Sequence, residues 1–186
     1  MRMFATLILG MILGVVAIAL GIYCYFATGR APVATSAPPL PFEKKLAHGA
    51  LNARVNREMP KTVPLQPDEP NLAAGAKVYR EHCAVCHGLP GQKETLIAAG
   101  MYPRPPKLTE GKGVTDDEPG ESYWKVANGI RLTGMPGFRP RLSDSQLWQV
   151  SLLVANADKL PKSVQETLSA PVPADYATTG SPPIPK

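Results

Sequence analysis

The strongest constraint on the fold of this chain is one short run, Cys83-Ala84-Val85-Cys86-His87. Two thiols at positions i and i+3 of a helical turn lie on one face, and an imidazole follows directly. This is the attachment sequence for a covalent c-type haem, in which each thiol bonds one vinyl group and the histidine binds the iron. The run therefore predicts one haem c, held by Cys83 and Cys86, with His87 as the proximal iron ligand.

Two other chemistries also use paired cysteines. A structural zinc site needs about four ligands, usually with a second Cys or His pair, but Cys24 lies in an apolar run and His48 and His82 have no ligand spacing. A thioredoxin-like redox pair needs a strand-to-helix turn, whereas the residues before Cys83 have a helical pattern. Both alternatives are therefore disfavoured.

Residues 1–26 predict a transmembrane anchor. The run from Met3 to Phe26 has no charged residue, and at about 1.5 Å per residue it is long enough to cross a ~30 Å hydrocarbon core. A cleaved signal sequence is the alternative, but its apolar region is usually only about 7–15 residues long. Bacterial haem c attachment takes place outside the cytoplasmic membrane, so either case exports the remainder. We expect a single-pass inner-membrane protein with its haem domain on the periplasmic side.

Proline divides the rest of the chain into segments. Residues 27–69 predict a Pro-rich tether that contains a short helix over residues 42–59. Residues 70–160 predict the haem domain, which is small for an apolar core of its own unless a haem fills its centre. Residues 161–186 have many prolines and little apolar bulk, which predicts a flexible tail.

Three helices are predicted within residues 70–160, and no segment has a convincing strand pattern, so the predicted fold class is all-α. The first helix leads directly into the haem-attachment run. Each helix has an N-terminal capping signal: Asn71 for the first, Thr115 with Glu118 for the second, and Ser143 with Gln146 for the third.

Met135 is the candidate for the sixth iron ligand. It lies in the run Gly-Met-Pro-Gly, where glycine and proline favour an irregular loop that can point a thioether at a metal. The alternative role is ordinary apolar packing. Three other side chains could bind iron but lie before the domain or close to His87 in the sequence: Met59, Met101 and His48.

On these residues the domain resembles class I cytochrome c of the bacterial, membrane-anchored type. The resemblance implies a small class I cytochrome c helical fold around one covalent haem, preceded by a single transmembrane helix. It also implies a close crossing of the first and last helices, with Gly75 and Tyr79 against Trp148. A mid-helix glycine costs about 1 kcal/mol relative to alanine, and close backbone approach explains its presence.

The resemblance implies further haem contacts. In this family a proline carbonyl binds the second nitrogen of the proximal histidine. Here either Pro105 or Pro106 would provide that carbonyl, and Leu108 would pack on the haem ring. Three side chains are candidates for contacts with the haem propionates, with an ordinary surface or packing role as the alternative: Tyr102, Arg104 and Trp124.

The predicted function is one-electron transfer in a periplasmic respiratory or dehydrogenase chain, as a carrier or as a subunit of a larger membrane complex. Catalysis is not expected. The alternative is a haem-based gas sensor or a peroxide-reactive haem protein, in which the sixth ligand is labile. An exported haem domain is not expected to bind nucleic acid.

Charge suggests where redox proteins would bind. The chain carries a formal charge of +5, and Arg131, Arg139 and Arg141 flank Met135 with no acidic residue between them. Such a basic rim would attract acidic redox partners and make their encounter sensitive to salt. The alternative is a solvated loop with no partner.

Overall fold

The structure is a computed structural model that describes residues 2–110, 115–172 and 176. Within those residues every regular element is helical. The chain divides after Glu43 into two units. The prediction of an all-α fold with an apolar helix at its amino terminus is therefore confirmed.

The first unit contains the apolar amino-terminal helix α1, Arg2–Ala27. Its 26 residues are sufficient, by length and composition, to cross a membrane, a property that a signal sequence shares. Tyr25 and Phe26 close the helix with their rings in edge-to-face contact, at a centroid distance of 5.4 Å. Such aromatic side chains are enriched at membrane interfaces.

The remaining helices of the described chain follow α1 along the sequence. In order they are α2 (Glu43–Glu58), α3 (Glu69–Val78), α4 (Ala84–His87), α5 (Leu96–Ala99), α6 (Pro119–Asn128), α7 (Asp144–Ala155) and α8 (Lys162–Ser169). A π-helical turn, Tyr79–Cys83, joins α3 to α4. The interior forms where α7 packs against α3 and α6, and α8 packs against α3.

The first and last helices of the predicted haem domain, α3 and α7, cross closely at Gly75. A Cβ atom on Gly75 would lie only 2.3 Å from the carbonyl oxygen of Gln149, so no larger residue fits without movement of the backbone. Trp148, one residue earlier on α7, stacks on Tyr123 of α6 with ring centroids 4.2 Å apart. The close crossing agrees with the sequence analysis, whereas the stacked pair was not predicted.

Helix capping confirms one predicted start and corrects another. Ser143 and Gln146 form the predicted capping box of α7, with each side chain accepting a hydrogen bond from the other's backbone N–H. The predicted start of α3 at Asn71 is wrong, because the Asp68 carboxylate caps the helix by accepting from the Asn71 N–H at 3.0 Å. Asn71 therefore lies inside the first turn.

The start of α6 also differs from the prediction. Thr115 does not cap this helix, which begins at Pro119 with Glu118 in the N-cap position. Proline suits the first helical position because its missing N–H would have no partner there. The next residue, Gly120, packs so closely that a Cβ atom would lie 2.1 Å from the Pro60 carbonyl oxygen.

The helix predicted over residues 42–59 is confirmed as α2. It belongs to the compact second unit, however, and not to an extended tether. The compact second unit begins at Lys44 rather than at residue 70. Val55 and Met59 are buried, with relative exposures of 1% and 9%. Two buried side chains in a largely polar segment are too weak a pattern to reveal packing from sequence.

The prediction of a flexible tail from residue 161 is wrong for its first part. Pro161 precedes α8, whose Val164 and Leu168 are buried one helical turn apart. Pro161 ends the preceding segment and stands directly before the new helix. The fixed φ of proline is compatible with a position at the start of a helix. The later tail prolines lie outside the described residues: Pro173, Pro182, Pro183 and Pro185.

Replacement of Gly75 tests the helix crossing. We expect Gly75→Ala to lower the free energy of unfolding by about 1–3 kcal/mol, because the added methyl group overpacks the contact with Gln149. Gly49→Ala in α2 is the matched control, since a Cβ atom there meets nothing within 4 Å; it should raise stability by up to about 1 kcal/mol. Thermal unfolding followed by circular dichroism measures both, and unchanged stability of Gly75→Ala would contradict the close crossing.

Candidate functional site

The π-helical turn and α4 present the residues of the haem-attachment run. Cys83 ends the turn, and Cys86 and His87 close α4. Neither cysteine is in a disulfide. Burial raises the pKa of Cys83 to about 12, and the nearby Cys86 contributes to that shift. Burial also raises the pKa of Cys86. Both side chains are therefore protonated thiols at neutral pH.

The His87 ring is oriented by one hydrogen bond. Its Nδ1 atom lies 2.7 Å from the Pro106 carbonyl oxygen, and a carbonyl can only accept, so Nδ1 carries the proton. Burial lowers the pKa of His87, while the bond to Pro106 opposes that shift. The imidazole is therefore neutral, and the lone pair of Nε2 remains free to bind a metal.

This bond decides between the two prolines that the sequence analysis left open. Pro106 provides the carbonyl, and Pro105 does not. Pro105 instead lines an open cleft, together with Cys86, His87 and Thr95. The sequence could not separate neighbouring prolines because the direction of a carbonyl depends on the folded backbone.

Two hydroxyl groups that the sequence analysis did not identify support the attachment run. The buried Tyr79 hydroxyl donates to the Gly88 carbonyl at 2.9 Å. The Thr95 hydroxyl donates to the Val85 carbonyl at 2.6 Å and caps α5. Their contacts join residues nine and ten positions apart, so no short sequence motif shows them.

Met135 lies in a loop that is closed at its ends. A Cβ atom on Gly129 would lie 2.5 Å from the Gly137 nitrogen, so the two ends of the loop touch. Inside the loop, the Met135 carbonyl accepts from Ile130 N–H at 3.1 Å. The Met135 N–H donates to the Thr133 hydroxyl at 3.1 Å. These bonds hold the backbone of Met135 in one position.

The Met135 loop lies beside the attachment run. The ring of Phe138, just after the loop, is 6.0 Å from the ring of His82, which adjoins Cys83. The Met101 side chain also contacts the loop, because its Cε atom lies 2.0 Å from the Cβ position that Gly134 lacks. Met101 is thus a second thioether near Met135.

The other predicted contact residues are dispersed. Leu108 is half-buried against the core, Tyr102 is 40% exposed, and Arg104 pairs with Glu94 at 3.4 Å. Trp124 donates its indole N–H to Glu58 of α2 at 3.3 Å. That N–H is the only donor of the indole, so this contact argues against the expected role of Trp124 as a propionate partner.

Comparison with known proteins agrees with the geometry. The family described as cytochrome c oxidase, cbb3-type, subunit III matches residues 70–152. Cytochrome c6 of Limnospira maxima is 33% identical over 86 residues, which cover 46% of this chain and 92% of that relative. The chain belongs to the c-type cytochrome family. The predicted family and its cofactor, covalent haem c with iron, are thereby confirmed.

One solved structure is also similar to this cytochrome. It belongs to the reducing HAO-like protein complex of Kuenenia stuttgartiensis, with 30% sequence identity and a TM-score of 0.44. The similar region covers 50% of this chain and 46% of that chain. This cytochrome therefore spans about half the length of the solved chain that it matches.

The residues around the attachment run fit haem c. The fit rests on the donor set: two thiols free of disulfides, and a neutral imidazole whose Nε2 atom is unprotonated. Thiols that can bond the vinyl groups and an imidazole that can bind iron are what haem c requires. The hydrogen bond that His87 Nδ1–H donates to the Pro106 carbonyl is the outer contact that orients such a ligand.

Tyr79→Phe tests the support of the attachment run and has a defined pH dependence. At about pH 7 the variant should lose about 0.5–1.5 kcal/mol of stability with the Gly88 hydrogen bond. Burial raises the pKa of Tyr79 above its usual 10.0. Above that pH the unfolded wild-type chain ionises while the folded one does not, so wild-type stability falls as pH rises.

The stability difference between wild type and Tyr79→Phe should therefore shrink when denaturant unfolding is repeated at about pH 11. Tyr102→Phe is the control, because Tyr102 is exposed and its replacement should leave stability unchanged at both pH values. A difference that stays constant between the two pH values would contradict the burial of the Tyr79 hydroxyl.

Proposed function

We propose that this chain is a membrane-anchored monohaem cytochrome c that transfers single electrons outside the bacterial cytoplasmic membrane. The observation that carries the proposal is the 2.7 Å hydrogen bond between His87 Nδ1 and the Pro106 carbonyl. It leaves Nε2 as the only nitrogen of His87 that can bind iron. A bound haem c supplies an iron centre that gains and loses one electron.

The residues of the chain have separate roles in this proposal. Cys83 and Cys86 hold the cofactor covalently, His87 is the proximal ligand, and Met135 is the sixth ligand. Two permanent iron ligands leave no position for a substrate, which favours an electron carrier over an enzyme. A methionine ligand also raises the reduction potential. The closed loop supports this role, because it limits the movement of Met135.

Membrane anchoring is supported by α1, whose composition and 26-residue length suit a bilayer. We propose that α1 remains attached after export and keeps the haem domain near membrane redox complexes. Haem c attachment outside the cytoplasmic membrane would then place that domain in the periplasm. Retention of α1 in the mature membrane protein, seen by mass spectrometry of the intact chain, is the expected result.

The basic rim, Arg131, Arg139 and Arg141, supports a site for acidic redox partners. All three side chains are exposed, and none of them forms an ion pair with another residue in the described part of the chain. Acidic side chains elsewhere are partly neutralised, for example Asp117 and Glu121 by Lys125. The positive charge of the rim is therefore available to a partner.

Carbon monoxide tests whether Met135 closes the sixth position. The ferrous wild-type protein should show no change in its visible spectrum when carbon monoxide is added. Met135→Ala should show a shifted Soret band, because the open iron position then accepts the gas. Met101→Ala is the matched control, since Met101 is the neighbouring thioether; it should behave like wild type.

A carbon monoxide response of the wild-type protein would contradict ligation by Met135 and favour the gas-binding alternative. A response of Met101→Ala without one of Met135→Ala would assign the ligand to Met101 instead. Covalent haem attachment, checked in each variant by the mass of the denatured chain, ensures that the compared proteins all carry their cofactor.

Ionic strength tests the basic rim. Ferricyanide carries three negative charges and takes the place of an acidic redox partner in this test. Its oxidation of the ferrous protein, followed by stopped flow, should slow as the salt concentration increases. Replacement of Arg131, Arg139 and Arg141 by Gln should flatten this dependence. Replacement of the exposed Lys44, Lys45 and Lys61 by Gln removes the same charge elsewhere and is the control. Equal flattening in both variants would contradict a local docking site.

A further inference from the structure

The C-terminal part of the chain adds structure beyond the region shared with the family. The family match ends at residue 152, whereas α8 follows at Lys162–Ser169. This helix packs on α3, and its Val164 and Leu168 have relative exposures of 0% and 1%. The added segment is therefore an integral part of the core.

Arg80 holds the end of this added segment. Its Nη1 atom donates to the carbonyl oxygens of Thr167, Leu168 and Ala170 at 3.0–3.1 Å, and its Nη2 atom donates to Pro171 at 3.3 Å. The last carbonyls of a helix have no partners within it, and a cation there is favourable. Only a guanidinium group can serve so many acceptors at once.

The position of Arg80 links the segment to the haem site. Arg80 lies in the π-helical turn Tyr79–Cys83, three residues before the first attachment cysteine. Its contacts with residues 167–171 therefore bring the C-terminal segment beside the turn that carries Cys83. A helix that needed only a stable end could be capped by a nearby glycine or side chain, without a residue some 90 positions away in sequence.

Tyr176 provides the second observation. Its side chain is only 4% exposed and belongs to the core cluster. Its hydroxyl group is buried and has no hydrogen-bond partner among the described residues. Burial raises the pKa of Tyr176, Arg80 opposes that rise, and the Cys86 and Cys83 sulfurs add to it. Cys83 packs against the same core cluster, so Tyr176 and the first attachment cysteine share one packed interior.

We propose that residues 162–172 together with Tyr176 form a C-terminal cover over the haem edge at which Cys83 and Cys86 attach. Arg80 is the positioning residue that holds the cover, and the ring of Tyr176 packs in the same interior as Cys83. The unpartnered Tyr176 hydroxyl agrees with a neighbouring group that only the haem-loaded protein contains. The cover keeps water and small molecules away from this edge of the haem.

Reduction by a small neutral molecule tests the cover on the full-length protein with haem attached. Hydroquinone should reduce the ferric wild-type protein slowly. Arg80→Lys keeps the charge but cannot bond four carbonyls, and it should accelerate reduction several-fold. Tyr176→Ala removes the ring and should do the same. Both variants should also have a lower midpoint potential, because water at the haem edge stabilises the ferric state.

Two controls separate covering from general loss of stability. Tyr176→Phe keeps the ring and should be reduced at the wild-type rate. Val55→Ala truncates a side chain that is 1% exposed on α2, so it weakens the fold without touching the cover. It should also be reduced at the wild-type rate. Hydrogen exchange of residues 164–171 should rise in Arg80→Lys and remain unchanged in Val55→Ala.

Wild-type reduction rates and potentials in both Arg80→Lys and Tyr176→Ala would overturn the proposal. Equal acceleration in Tyr176→Phe or Val55→Ala would also overturn it, because the effect would then not depend on the covering ring. If Arg80→Lys failed to fold, Tyr176→Ala alone would decide. Failure of the proposed electron-transfer function is distinguishable, since the wild-type haem would then not cycle between ferric and ferrous states at all.

Discussion

The contact between α3 and α7 at Gly75 determines where the haem-attachment run lies. An added Cβ atom on Gly75 would lie 2.3 Å from the Gln149 carbonyl oxygen, so the two backbones approach too closely for a side chain between them. α3 continues through the π-helical turn into α4, and its direction therefore sets the positions of Cys83 and Cys86. Because protein interiors are close-packed, movement at Gly75 would be transmitted to both cysteines.

Contacts from outside the attachment run then complete its geometry. α4 is only four residues long, and so short a helix is not stable by itself. The Thr95 hydroxyl donates to a carbonyl within the run, the Tyr79 hydroxyl donates to the carbonyl of Gly88 just after it, and the Pro106 carbonyl accepts from the ring of His87. These three residues come from separate segments of the chain. The orientation of His87 is thus a property of the whole domain, although the run itself is local in sequence.

The difference between local contacts and contacts from distant segments also explains what the sequence could predict. The capping box of α7 and the role of Gly75 depend on neighbouring residues or on one unusual helix position, and both predictions agree with the structure. The choice between Pro105 and Pro106 depends on the direction of a carbonyl, which residue identity does not encode. Packing of α2 was missed because Val55 stands almost alone as an apolar anchor in a charged helix.

The segment after α7 was missed for a different reason, because its prolines suggested disorder. In the structure Pro161 precedes a packed helix, and the carbonyls at the end of that helix are bound by Arg80. A proline-rich composition therefore predicts where helices break, and it does not predict whether the pieces between breaks are held by distant side chains. Such contacts join positions about 90 residues apart, beyond the reach of any local pattern.

In the proposed function, the packing of the segments around α2 and α8 limits where a redox partner can approach. Pro60, two residues after the end of α2, packs against Gly120 at the start of α6, and α8 packs on α3. The Met135 loop has no such covering among the described residues, and Leu132 at its tip is 93% exposed. In the proposed function, this exposed loop with its cationic neighbours is the entry point for an electron. Arg131 of the basic rim adjoins the exposed Leu132, so in this proposal charge and accessibility coincide at the same loop.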